Sequence, residues 1–348
     1  MKCEGTINAA CACDRPEIDF PMNVTERSSN VTLTGFCGEP CVNHVLQSFS
    51  IIMYILCLLF NFLVIFGVFL SRQLKKPMYL LMLNLAITDL VGCSANVCLV
   101  FDMFFSGEQF VSKEACFVQV FFVYLFGGLL CGAITTMAVD RFIAICHPFS
   151  YLHIFKWKNI LKIMMAVWAV SLVMAFVYVG LCVKMLRQPV VVRGLMCDHL
   201  SLSNVVQDRL NFDFIYNVFM SVGLILVCSA LQCYTYRQIF AEINKSNDCE
   251  MAQSSKSKLV KHLFIPLSTY VVGFSMLCVT IVDHFVCHPY VINTKVIFQF
   301  IYYTTVPVLN PIIYGLHITE LRKHLQCVPD SNNSLREKIS SHLPSASF

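Results

Sequence analysis

The stretch Phe117–Cys146 reads FVQVFFVYLFGGLLCGAITTMAVDRFIAIC, and it carries no charge until Asp140 and Arg141 near its end. A helix of about 20 apolar residues is enough to cross roughly 30 Å of hydrocarbon, and this run is longer. Six further blocks have the same character: about 45–70, 78–101, 160–183, 212–236, 259–282 and 291–315. None is amphipathic enough to cover a water-soluble core. Lipid offers no water to an open backbone, so each block must satisfy its own N–H and C=O groups as a helix. The short alternating strands of a membrane β-barrel do not occur in the pattern. The expected fold is an all-α membrane protein, a bundle of seven transmembrane helices.

Composition agrees with this reading. The 348 residues are 57% hydrophobic and only 13% charged, where a soluble domain carries about a quarter charged residues. The organisation expected is an amino-terminal tail over 1–44, the bundle over 45–315, and a short helix and tail over 316–348. No convincing internal repeat, low-complexity run or Gly/Ser linker interrupts it, so function must reside in the bundle and its loops. The first 20 residues include Asp14, Arg15, Glu17 and Asp19 and have no apolar core. No cleaved signal peptide is expected there, and the first span must start insertion itself.

Orientation follows from the loops. With the amino end outside, the inner segments are strongly basic and the outer ones acidic, as the positive-inside rule requires. The short first inner loop, with Arg72, Lys75 and Lys76, is the best single indicator. The expected location is the plasma membrane, multi-pass, with an extracellular amino terminus and a basic inner face against anionic lipid. The sequons at Asn23 and Asn30 then lie outside and are expected to be glycosylated, while those at Asn244 and Asn332 stay bare.

Nineteen cysteines are present. Those within spans, such as Cys57, Cys131, Cys146, Cys228 and Cys278, read as small apolar packing residues. Those on the oxidising side are Cys3, Cys11, Cys13, Cys37, Cys41, Cys116, Cys182, Cys197 and Cys287. Cys116 opens the third span and Cys197 lies midway along the second outer loop, about 184–211. A bond between them would pin that loop over the bundle mouth, with Cys182 the rival partner. The other pairings stay open.

Polar groups inside spans are costly and mark function by default. Asp89, Asn61 and Asn310 sit at similar depth, either as interhelical glue or as a hydrated, protonatable or ion-binding switch. Asp140-Arg141 stands at the inner end of the third span. Arg141 either snorkels to headgroups or is tethered by Asp140 and released to a partner when helices move. Asn310-Pro311-Ile312-Ile313-Tyr314 combines a proline kink with a side-chain amide and a tyrosine one turn later, a plausible bistable element.

Taken together, these residues resemble the rhodopsin-like G-protein-coupled receptors over about 45–325. Asn61, Asp89, Asp140-Arg141, Trp168 and Asn310-Pro311-Ile312-Ile313-Tyr314 each stand in the span where that family carries them. The resemblance implies a disulfide between Cys116 and Cys197. A finer resemblance is to the odorant receptors. It rests on Leu74-Lys75-Lys76-Pro77-Met78-Tyr79, on the run Met137–Tyr151 (MAVDRFIAICHPFSY), on His262-Leu263 with Tyr270, and on Pro307–Tyr314 (PVLNPIIY). Departures are Phe60 where glycine is usual, Val139 and Phe142 in place of tyrosines, and Lys258-Leu259 before His262. The tail is also longer and richer in cysteine. These features look like a fish-type or divergent member.

The resemblance implies a ligand site near the outer face, among spans three, five, six and seven. Val123, Tyr124, Gly127 and Gly128 would line it from the third span, Tyr270 and Phe274 from the sixth, and Phe300 and Tyr303 from the seventh. Val123 stands where amine receptors carry an aspartate, so an amine held in that way is not expected. An apolar, aromatic pocket with no buried fixed charge suits a small odorant-like organic ligand. The switch residues implied are Asp89, Asp140, Arg141, Asn310, Pro311 and Tyr314. The partners implied are a heterotrimeric G protein of the olfactory stimulatory type, arrestin and membrane lipid, with no nucleic acid.

Beyond the last span, His317–Gln326 is expected to form a short amphipathic helix on the membrane. Cys327 is a candidate for palmitoylation. Ser331, Ser334, Ser340, Ser341, Ser345 and Ser347 are candidates for phosphorylation. No catalytic group, cofactor or metal is expected, because no nucleophile–base pair or ligand cluster converges in the spans. The rival readings are a rhodopsin-like receptor for a peptide or lipid outside the olfactory system, and a channel or transporter. The latter needs a continuous polar pore, which sparse intramembrane charge disfavours.

Overall fold

In the computed structural model, the described residues are 30–37, 40–70, 77–106, 110–185, 190–194, 196–203, 212–245, 269–286 and 288–312. All but Ile312 belong to one compact unit, Met1–Pro311. The helices in chain order are α1 (Pro40–Leu70), α2 (Pro77–Ser106), α3 (Lys113–Cys146), α4 (Pro148–Ile154), α5 (Trp157–Met185), α6 (His199–Ser203) and α7 (Phe212–Lys245). They are followed by α8 (Thr269–Phe285) and α9 (Pro289–Phe300), which runs on through a π-helical turn, Ile301–Thr305, and helical residues to Ile312. The spans of the seven-helix bundle are α1, α2, α3, α5, α7, α8 and α9. Five of them, α1, α2, α3, α5 and α7, are long and apolar enough to cross a membrane within the described residues alone.

Several helices outrun the apolar blocks that announce them. The fifth span continues through Arg237 and Glu242 to Lys245. Hydropathy ends where charge begins, but intrahelical hydrogen bonds carry the backbone past the lipid. Local chemistry sets the ends of α3. Ser112 caps its start by accepting from the Ala115 amide at 3.2 Å, and Glu114 sits in its first turn, where a helix dipole favours an anion. His147 closes it on the Ile143 carbonyl, and Pro148 then opens α4 from a first-turn position where its missing N–H costs nothing.

At the centre is α3, which packs against α2, α5 and α7. Small residues permit this closeness. A Cβ on Gly128 would stand 2.7 Å from Ser171 Oγ of α5. Cys57 corrects the expectation that span cysteines only pack. It is disulfide-bonded to Cys93, joining α1 to α2.

The amino-terminal tail is also more than a lead-in. Residues Asn30–Leu33 form β1, the middle strand of a three-stranded sheet. It pairs antiparallel with β2 (Phe110–Ser112) and parallel with β3 (Val190–Val192). Val31, Leu33, Val111 and Val192 pack with the Cys116–Cys197 disulfide in one apolar cluster. The Thr34 and Gly35 amides extend the pairing to the Val192 and Gly194 carbonyls, each at 3.0 Å. Gly35 has φ +63°, a backbone that side-chain-bearing residues resist. The tail then docks on α9, where Asn293 accepts from the Cys37 amide at 2.6 Å and donates to its carbonyl at 2.9 Å.

Candidate ligand cavity and helix-end switch

Cys116, at the start of α3, is disulfide-bonded to Cys197, and Cys182 is a free buried thiol. The Cys197 amide donates to Gln119 Oε1 of α3 at 2.6 Å, so the loop is fixed to the helix twice. The next residues, Asp198 and α6, therefore lie over the bundle as a roof.

Under that roof is a cavity of about 680 Å³ between α3, α5, α7, α8 and α9. Val123, Tyr124, Gly127, Gly128 and Tyr303 line it, as does Tyr302. Gly127 gives it room, since a Cβ there would meet nothing within 4 Å. The π turn in α9 adds a residue to the helical register. Consecutive tyrosines thereby both turn inward, Tyr302 and Tyr303 each with its ring centroid 5.9 Å from Phe126.

Three residues expected at the pocket stand elsewhere. Tyr270 lies deeper, beside a separate void of about 20 Å³, with its hydroxyl 3.3 Å from Thr135 Oγ1. Phe274 is exposed on the outer side of α8, while its neighbour Gly273 borders the cavity with Met276, Leu277 and Thr280 at helical spacing. Phe300 precedes the π turn and packs on Phe49 of α1, ring centroids 5.5 Å apart.

The walls are mostly apolar, and their polar groups gather near the roof. Asn217 of α7 donates to the Tyr124 hydroxyl at 2.8 Å and lies 2.8 Å from His199 Nδ1. Ser221 donates to Asn217 Oδ1 at 3.1 Å. Burial holds His199 neutral and pushes its pKa down to about 4, although Asp213 and Asp198 pull it upward. Asp198 also borders the cavity and accepts from the Ser201 amide at 2.8 Å, from Ser201 Oγ and from Gln299 Nε2 at 3.2 Å. Among the described residues it is the one charged side chain on the lining, where the sequence reading expected no fixed charge.

A second pair of charges was missed. Asp283 of α8 and Lys295 of α9 are both fully buried, with Lys295 Nζ 3.1 Å from Asp283 Oδ2. Arg193 of the roof lies 3.7 Å from Asp283 Oδ1, and its carbonyl accepts from Lys295 at 2.7 Å. Two cations thus face one carboxylate, and the Arg193 carbonyl takes a further N–H of Lys295, joining the roof to α8 and α9.

Deeper in the bundle, Asn310 donates to Asp89 Oδ1 at 2.9 Å, and Asn61 donates to the Pro307 carbonyl at 3.1 Å. Among the described residues, the oxygens Asp89 Oδ2, Asn61 Oδ1 and Asn310 Oδ1 are buried without a donor. That leaves acceptor capacity for a proton, a water or a cation. Trp168 of α5 donates to Asn84 of α2 at 2.9 Å.

At the far end of α3, Asp140 is buried, and its Oδ1 accepts from the Tyr151 hydroxyl of α4 at 2.9 Å. Burial and the Asp140 carboxylate both push the Tyr151 pKa up. Arg141 is only half-buried and makes no ion pair with Asp140 within 4 Å. Tyr151 makes the direct side-chain contact with Asp140, while the Arg141 charge acts on it at longer range. Pro311 is described within α9, whereas Tyr314, Asn23, Cys327 and the segment 317–326 lie outside the described residues. Asn30 opens β1 opposite Ser112.

Residues that sequence reasoning missed at the cavity include Asp198, Asn217, Gln299, Tyr178 and Tyr302. Only Asp198 left a usable signal, because it follows the loop cysteine whose bond fixes its position.

A roofed cavity at one end of seven membrane helices, with a charged, hydrogen-bonded helix end at the other, defines a transmembrane receptor. The chain belongs to the rhodopsin family of seven-transmembrane receptors, which it matches over residues 60–314. Among curated proteins it is similar to human olfactory receptor 52K1, 26% identical over 88% of this chain and 97% of that one. It is also similar to human olfactory receptor 4K5, 29% identical over 84% and 88% respectively. Human olfactory receptor 52A1 is 23% identical over 85% and 95%.

Proposed function

We propose that this chain is an odorant receptor of the plasma membrane, with its amino terminus extracellular, that binds a small organic ligand in the cavity and activates a heterotrimeric G protein of the olfactory stimulatory type. The observation that carries the reading is the roofed apolar cavity, in a chain whose relatives over nearly their whole length are olfactory receptors. Its aromatic walls and few grouped polar atoms suit a small molecule. In this reading Val123, Tyr124, Gly127, Gly128 and Tyr303 contact the ligand, joined by Tyr302 and Asn217.

The mechanism is a population shift. The ligand binds one arrangement of the bundle better and draws the protein toward it. Asp89, Asn310, Pro311 and Tyr314 form the bistable core. Asp140 and Arg141 meet the G protein, and coupling is reciprocal, so the G protein tightens ligand binding in turn. The tail 1–44 bears glycans at Asn23 and Asn30. The segment 316–348 carries the amphipathic helix, a lipidated Cys327 and serines that recruit arrestin.

The test is a cAMP reporter in cells displaying the receptor, challenged with a panel of volatile organic compounds. A concentration-dependent cAMP rise that Arg141→Ala removes at equal surface level is the expected result. Signalling that persists in Arg141→Ala contradicts the coupling role.

A further inference from the structure

We propose that the ligand selected by this cavity carries a protonated amine, with Asp198 as its counter-ion. The inference deepens the odorant-receptor reading and rests on the cavity being the ligand site. The roof holds two carboxylates in contrasting states. Asp283 is compensated by Lys295 and Arg193 and lies off the cavity. Asp198 faces the cavity, and the donors to its carboxylate among the described residues, from Ser201 and Gln299, are all neutral. Among the described residues no Lys, Arg or His side chain forms an ion pair with it within 4 Å. The adjacent His199 is held neutral by burial and supplies no charge.

A second observation points the same way. The Gln299 side chain is buried and borders the cavity, and its Oε1 has no donor among the described residues. Gln299 turns its Nε2 to Asp198 and leaves its Oε1 near Gly194, so the site offers a carboxylate and a second buried acceptor to N–H groups. An ammonium offers three donors and no acceptor. The rings of Tyr124, Tyr178 and Tyr303 also line the cavity, and aromatic rings attract cations. A carboxylic acid would be repelled by Asp198, and an alcohol could satisfy one acceptor but not the charge.

Capping α6 alone does not account for Asp198. The cap requires an acceptor for the Ser201 amide, and asparagine provides it as well as aspartate does. Asp198→Asn therefore removes the charge while keeping the cap. The probes are hexylamine, cyclohexylamine and 2-phenylethylamine, each paired with the alcohol of the same skeleton, in the cAMP reporter at matched surface level. At least one amine is expected to activate the wild type with a potency at least about tenfold above its alcohol, and Asp198→Asn to erase that preference. The proposal is overturned by silence toward all three amines, or by an amine preference that survives in Asp198→Asn. A third variant, Gly127→Leu, fills the cavity. If it leaves every response intact, the cavity itself is not the ligand site. If it abolishes responses while Asp198→Asn leaves amine potency unchanged, only the counter-ion role falls.

Discussion

Lys295 and Asp283 form a fully buried ion pair at 3.1 Å, joining the sixth and seventh spans beneath the roof. Removing one partner of such a pair costs about 3–5 kcal/mol, because the other charge is left uncompensated. Lys295→Met should sharply reduce surface display and lower the melting temperature of purified receptor. Arg193, at 3.7 Å and partly exposed, is too loosely placed to compensate alone. Lys295→Met combined with Asp283→Leu should recover much of the loss. A double variant no better than the single one would refute the pairing energetics.

Tyr151 holds Asp140 at the end of α3 far from the cavity. Hydrogen bonds to charged groups contribute about 1.5–3 kcal/mol, enough to bias a conformational equilibrium about tenfold. Tyr151→Phe keeps the ring stacked on Phe155 and removes only the hydroxyl. Ligand-independent cAMP should rise several-fold at equal surface level. An unchanged basal signal would show that this bond does not restrain the switch.

The bond between Cys116 and Cys197 spans a sequence separation of 81 residues. Closing so long a loop removes unfolded-state entropy worth about 4.5 kcal/mol in the simple chain model. Cys116→Ser and Cys197→Ser should each impair surface display and ligand response. The double variant should be no worse than either single one, since each already loses the same bond. Additive losses would point to separate roles for the two thiols.

The roof has a further strand in β1. Its apolar residues Val31 and Leu33 are fully buried against the same cluster as that disulfide. Deleting residues 1–34 should therefore reduce surface display, measured on intact cells by antibody to a tag fused ahead of residue 35, and weaken ligand potency. Normal display and potency after the deletion would show the sheet to be dispensable.

The spans were legible because lipid imposes one rule on every helix, and apolar length reports it directly. Rotation of those helices was not. A helix that is apolar on every side carries little information about which face turns inward. Phe274 and Gly273 differ by one position, and of the two Gly273 borders the cavity while Phe274 is exposed. For Phe300 the error has a different cause. The π turn after it changes the register, so Phe300 and Tyr303 do not share a face as i, i+3 neighbours would. The sheet escaped notice because its strands are three or four residues long and lie in three distant segments. Cys57–Cys93 was hidden because a span cysteine looks the same in sequence whether bonded or packed. Asp140 and Arg141, adjacent in sequence, suggested a mutual pair, but neighbours on a helix point about a quarter-turn apart.

The central claim is that the cavity beneath the Cys197 loop is where ligand binds and from which signalling starts. Its most direct test is a concentration–response curve for an activating ligand, measured on Gly127→Leu and on Gly180→Leu at matched surface level. Both glycines have open space at the Cβ and both substitutions favour the helix, but only Gly127 borders the cavity. The account predicts that Gly127→Leu loses the response while Gly180→Leu keeps wild-type potency. Equal, wild-type-like curves for the two variants would contradict it.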